Sequence, residues 1–116
     1  MVGFAAGYDH KAWAAARHAR AVEIGRVFAE IVRDEPSVRE LWVTADTEEI
    51  GMHLWLITDP LDWEAQEHFY GAPSEQIEDR FPQDGVWVHV LNPRNHTGEV
   101  HQSLRQDAEQ VPLRAG

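Results

Sequence analysis

The sequence predicts an α/β fold of order αββαβ, a mixed three- to four-stranded sheet with helices packed on one face. It reads as one domain over residues 1–116, with an N-terminal extension at 1–8 and a C-terminal tail at 95–116. Three observations carry this. Apolar residues recur at helical spacing across residues 10–34; three runs rich in branched and aromatic residues, 38–45, 51–58 and 86–91, read as strands; and a helical pattern separates the second run from the third. Strands joined by a short turn pair antiparallel, whereas strands joined through a helix pair parallel, so the sheet is mixed.

Taken in order, Asp9 can cap a helix from about His10 to Asp34, with Trp13, Ala16, Ile24, Phe28 and Ile31 as its apolar stripe and Arg17, Arg20, Arg26 and Arg33 mostly facing elsewhere. Glu35 precedes Pro36, which pushes it out of the helical region and ends the element. Val38 to Ala45 and Gly51 to Thr58, separated by Asp46-Thr47-Glu48-Glu49, form an antiparallel hairpin. Asp59-Pro60 starts the next helix, with Asp59 as cap and Asp62 and Glu64 near the positive end of its dipole. That helix runs to about Tyr70, breaks at Gly71-Ala72-Pro73 and resumes with Ser74 as cap until Pro82; one kinked helix and two short ones read alike. Gln83-Asp84-Gly85 turns the chain into the third strand, Val86 to Leu91, which Asn92-Pro93 ends. Past Arg94, Gln102 to Gln110 can form a short helix and Val111-Pro112-Leu113 an edge strand, where proline is tolerated.

Composition narrows the function classes. Twenty acidic against ten basic side chains give a net charge of −10, which repels phosphate backbones and anionic lipid, so general nucleic-acid binding and membrane association are disfavoured. The charge is concentrated: residues 1–33 carry five basic and three acidic side chains, 34–84 two and fourteen, 85–116 three and three. An acidic middle of this kind is a solvated face or a dock for a basic partner, such as the arginine-rich first helix of another copy. With no cysteine there is no disulfide framework, zinc ribbon or thiolate nucleophile, and the chain reads as cytoplasmic. No run of 18 apolar residues and no signal-peptide start is present.

Strand alternation sorts the side chains into two faces. One is wholly aliphatic: Leu41, Val43, Ala45, Met52, Leu54, Leu56, Val86, Val88 and Val90. Burial of each large aliphatic side chain is worth about 1.5–3 kcal/mol, so the helices are expected on this face. The other holds Val38, Glu40, Trp42, Thr44, His53, Trp55, Ile57, Trp87, His89 and Leu91. Trp42, His53, Trp55, Trp87 and His89 are therefore the candidate binding residues. Three readings stay open for them: an aromatic face covered by the C-terminal tail, a second copy or a protein partner; a small-ligand platform; or a metal held by His53 and His89. A usual metal site needs three or four ligands, and Glu40 is the nearest carboxylate by face. No site for a cofactor is expected.

Elsewhere the chemistry is ordinary. His10 and His18 read as exposed helix residues, Glu64 and His68 as a surface pair four apart, and Arg94, His96 and His101 around Thr97-Gly98 as a loop or an anion-binding patch. There is no nucleophile elbow and no phosphate-binding glycine loop.

The element order, with VRELWVTADTEEIGMHLWLITDP followed by VWVHVLNP, resembles the minimal nucleotidyltransferase core of the small MNT-type proteins over residues 10–92. The resemblance implies a Gly-Ser signature after the first strand, an Asp-x-Asp pair on the second and a third acid on the last, together holding two magnesium ions. Those positions fall near Thr44 to Thr47, on Gly51 and His53, and on His89, so the motif is missing and imidazole does not replace hard oxygen ligands. The phrases EHFYGAPSEQIEDRFP and VHVLNPRNH are similar to those of small bacterial proteins. The expectation is a non-catalytic interaction protein, self-associating as a homodimer through the Trp/His face. The alternative is a small ligand-binding or divergent nucleotidyltransferase-like enzyme with a pocket on that face.

Overall fold

The computed structural model describes residues 10–46 and 50–113. Along them run α1 (His10–Ile31), β1 (Val38–Ala45), β2 (Met52–Thr58), α2 (Trp63–Tyr70), α3 (Ala72–Arg80), β3 (Val86–Leu91) and β4 (Glu109–Val111), with short 3-10 turns at Pro93–Asn95 and Val100–Ser103. The sheet order is β3-β2-β1-β4. β1 pairs antiparallel with β2 and with β4, and β2 pairs parallel with β3, giving the mixed sheet and the fold class that the alternation implied. No helix among the described residues is long and apolar enough to cross a membrane.

All three helices pack on the aliphatic face. Leu41, Val43, Leu54 and Leu56 are fully buried there beside Ile24 and Phe28 of α1, Phe69 of α2 and Ile77 of α3. Gly25 permits the closest approach: a Cβ on it would lie 2.6 Å from a methyl of Val43 and 3.0 Å from one of Val111, so α1 rests its backbone on β1 and β4. The buried stretch of α1 begins at Ala21, whereas Ala16 is exposed and Trp13 half-buried beneath the Arg17 guanidinium at 5.1 Å. The apolar stripe is thus shorter than its spacing suggested. The proposed cap Asp9 lies outside the described residues.

Several boundaries differ for physical reasons. α1 stops at Ile31 because the Arg33 N–H donates to Glu30 and the Glu35 N–H to Val32, tightening the chain before Pro36. The cap of α2 is Asp62, accepting from the Ala65 N–H at 2.8 Å, and not Asp59, whose carboxylate accepts from Nε and one terminal nitrogen of Arg39 at 2.6 and 3.0 Å. Between them, the buried Asn92 amide bonds both the N–H and the carbonyl of Leu61 and the Gln66 side chain, holding residues 60–62 off the helix. Gly71 separates two distinct helices, and Ser74 lies inside α3, donating to Glu78 instead of capping. No α-helix forms over 102–110. Leu104 is drawn onto the aromatic face and the Arg105 guanidinium donates to the Ala45 carbonyl, so the chain extends to reach β1 as β4.

Val38 is the one misplaced member of the aromatic face. The β1–β2 register shifts between Val38 and Glu40, and this irregularity turns Val38 into the helix-covered core at 2% exposure. Part of the acidic middle is met within the chain itself: Arg20 of α1 grips Asp84 through two donors at 3.2 and 3.1 Å.

Candidate functional site

The hairpin register sets Trp42 opposite Trp55 and brings His89 of β3 opposite Trp55. The indoles do not stack on each other; each takes a histidine. Trp55 and His89 stack at 4.1 Å and 17°, while Trp42 meets His101 edge-on at 6.1 Å and 82°. Each indole N–H has its own acceptor, Glu40 for Trp42 at 2.8 Å and the buried Thr44 hydroxyl for Trp55 at 3.0 Å.

Around Trp42 the face is closed. Val100 and Leu104 pack on Trp42, Trp55, Ile57 and Leu91, forming a second small core under the C-terminal segment. His101 lies between two carboxylates, its Nε2 2.9 Å from Glu40 and its Nδ1 against Glu99. The bonds to Glu99 and then Glu40 raise His101 above the ordinary histidine value. Burial pushes the Glu40 carboxyl up, but the bonds from His101 and Trp42 outweigh it and hold it low. This engagement with two carboxylates removes His101 from the suggested anion patch. It also removes Glu40 from any site with His53.

Past Trp55, toward Trp87, the face is open. His53 Nδ1 and His89 Nε2 are 2.8 Å apart, and His53 Nε2 lies 3.2 and 3.3 Å from the two oxygens of Asp46. A carboxylate only accepts. With one proton on each ring, His53 donates from Nε2 to Asp46, and its bare Nδ1 accepts from His89 Nε2–H. That leaves the lone pair on His89 Nδ1. Among the described residues no side-chain nitrogen or oxygen is both buried and unpartnered, and none of those residues bonds His89 Nδ1, so this nitrogen is not sealed among them. Burial, and then the neighbouring His53, lower His89 below the ordinary histidine value. Trp87, the neighbour of His53 on β3, stands 60% exposed beside the pair.

Asp46 is the residue that sequence reasoning missed by assigning it to the turn; of that turn, residues 47–49 lie outside the described residues. Its backbone pairs with Gly51, N–H to carbonyl at 2.9 Å, and its carboxylate occupies the space of the absent Gly51 side chain, where a Cβ would lie 2.1 Å from Oδ2. The signal was available. Period two continued one step past each strand end puts Asp46 with Thr44 and Gly51 with His53. Arg17 braces this corner through the Asp46 and Gly51 carbonyls at 3.2 and 3.1 Å, and Arg105 stands 4.0 Å from the Asp46 carboxylate.

The two histidines bond to each other, and among the described residues no group of three or more metal-ligating side chains comes together. Two of the remaining histidines pair elsewhere. His68 pairs with Glu35 at 2.6 Å and not with Glu64, and His18 with Glu109 of β4 at 2.7 Å. A groove of about 350 Å³ lies between the end of α3 and the start of β3, lined by Glu78, Phe81, Pro82, Gly85, Val86 and Trp87; it meets the histidine face only at Trp87.

Fold and site together define a mixed α/β domain with a four-stranded sheet, broadly consistent with nucleotidyltransferase-like topology, in which no acidic cluster comes together among the described residues. No family model, curated protein or solved structure matches the chain.

Proposed function

We propose that this protein is a small-ligand-binding domain whose site is the open half of the Trp/His face: His53, Trp55, Trp87 and His89, oriented by Asp46. The observation that supports this is the hydrogen-bonded chain from Asp46 through His53 to His89, which leaves one acceptor nitrogen that no described residue bonds, beside an uncovered indole. A planar ligand bearing an N–H or O–H donor suits that pairing, the ring on Trp87 and the donor on His89. The net charge of −10 argues against a polyphosphate, so within the nucleotidyltransferase-like reading a nucleoside fits better than a nucleotide. Adenosine is the probe, with ATP beside it. Calorimetry and thermal unfolding should show saturable adenosine binding with a rise in Tm, both lost in Trp87→Ala, and weaker binding of ATP. Absence of any heat or Tm shift at saturating adenosine overturns the proposal.

A second reading, a non-catalytic protein that self-associates over the same face, draws support from the 60% exposure of Trp87. Sedimentation velocity separates the two: a dimer dissociated by Trp87→Arg supports association, and a monomer at the highest soluble concentration rules it out.

A further inference from the structure

Resting on the ligand-site reading, we infer that His89 is a general base that hydrolyses small aryl esters, with His53 and Asp46 as the positioning residues that supply and stabilise its charge. The geometry is that of a relay. Asp46, His53 and His89 form one continuous hydrogen-bonded line at 3.2 and 2.8 Å, ending on a nitrogen that no described residue bonds. Such a line does more than hold a ring still. When His89 Nδ1 takes a proton, its Nε2 proton can pass to His53 Nδ1, and the charge then rests on the ring already bonded to the Asp46 carboxylate. A cation that would sit unfavourably on the half-buried His89 is moved to a ring with a counter-ion.

The step balances with water alone. Water bound at His89 Nδ1 gives that nitrogen its proton as its oxygen attacks the ester carbonyl carbon. The bond from the carbonyl carbon to the aryl oxygen breaks, and its electron pair leaves with the aryloxide. The proton on the histidine pair returns to solvent or to the leaving oxygen. Trp87, uncovered beside the pair, gives an aryl group a surface to lie on.

Among the described residues, the Arg17 guanidinium of α1 stands at the foot of the relay, donating to the Asp46 and Gly51 carbonyls at 3.2 and 3.1 Å. His53 faces His89 from β2, and Asp46 stands at the end of β1 with Arg105 4.0 Å behind it. On the helix side is the Tyr70 hydroxyl, which accepts from the Val90 N–H at 3.1 Å. Among the described residues the Asp46 carboxylate is the group that favours a proton on the pair, and the Arg17 and Arg105 guanidiniums oppose it.

Hydrolysis of p-nitrophenyl acetate by the full chain, followed across pH, tests this. His89→Gln is expected to lower the rate about a hundredfold, the low end of the range for general acid–base catalysis. Asp46→Asn should lower it several-fold and move the midpoint of the pH profile downward, with Asp46→Glu restoring part of both. A purely structural role for Asp46 would leave that midpoint in place. Equal rates for the wild type and a folded His89→Gln variant overturn the inference; if that variant does not fold, an unchanged rate and midpoint in Asp46→Asn do so. Adenosine binding is measured on the same samples. Binding without ester turnover removes the hydrolytic role and leaves the ligand-site reading standing, whereas the absence of both removes both.

Discussion

Two tryptophan–histidine pairs stand on one face of this sheet and have been given opposite characters. The Trp42–His101 pair is edge-on, with the imidazole between Glu40 and Glu99 and held toward its charged form. The Trp55–His89 pair is stacked flat, with the imidazole half-buried against a second histidine and held toward its neutral form. Residue type is the same in both; the neighbours decide. The carboxylates beside His101 make it a latch for the C-terminal segment, and their absence beside His89 leaves a lone pair free to work.

The comparison can be broken most strongly at its aromatic bases. Trp55→Ala is expected to cost about 3 kcal/mol in urea unfolding, the low end for loss of a large aromatic ring, since the ring is partly exposed but its departure also strips the buried Thr44 hydroxyl of its donor. A loss under about 1 kcal/mol would show that the stack does not support the sheet. Gly51→Ala should cost less, about 1–2 kcal/mol, because a Cβ 2.1 Å from Asp46 Oδ2 can be relieved by swinging the carboxylate away. Its signature is selective: the His53 ring resonances shift in NMR while those of His101 stay in place.

pH dependence sharpens the contrast without touching the core. His101 is raised in the folded state, so its stabilisation is complete below the unfolded value of about 6.5 and is lost as pH rises through the folded value. His89 is lowered, so its contribution has the opposite sense: nothing is lost above about 6.5, and stability falls as pH drops from there toward the folded value. The stability difference between wild type and His101→Ala should therefore shrink as pH rises above about 6.5, while His89→Gln gains on the wild type as pH falls below it. Denaturant midpoints across that range check both. The smallest effect belongs to Arg39→Ala, which removes an exposed, solvent-screened ion pair with Asp59 and should leave the denaturant midpoint nearly unchanged.

Much of this was legible because the strands obey period two. The aliphatic set, the Trp/His set and the parallel crossover all follow from alternation and element order, and His53 and His89 were placed on one face from sequence alone. What escaped is what alternation cannot express. The register shift at Val38 breaks the period inside β1, so that residue joined the wrong face. Asp46 sat one step past a strand, where turn chemistry is the default reading. The 3-10 turn at Val100–Ser103 and β4 exist because Leu104 and Arg105 find partners on β1 and the aromatic face, a tertiary pull that overrides the local helical pattern of 102–110. The Asn92 clamp on Leu61 likewise needs two segments to be seen together.

The placement of β4 also sets a sequence of events in time. The hairpin pairs Ala45 with Met52, whereas β4 pairs Val111 with Leu41, across α2, α3, β3 and the C-terminal segment. Because loop-closure entropy grows with the length enclosed, the hairpin is expected to zip early and β4, together with the Val100–Leu104 segment, to settle last. Until that final step Trp42 and Trp55 lie bare, which makes nascent chains prone to stick to one another through this face and makes indole fluorescence a direct clock for the closing of the segment.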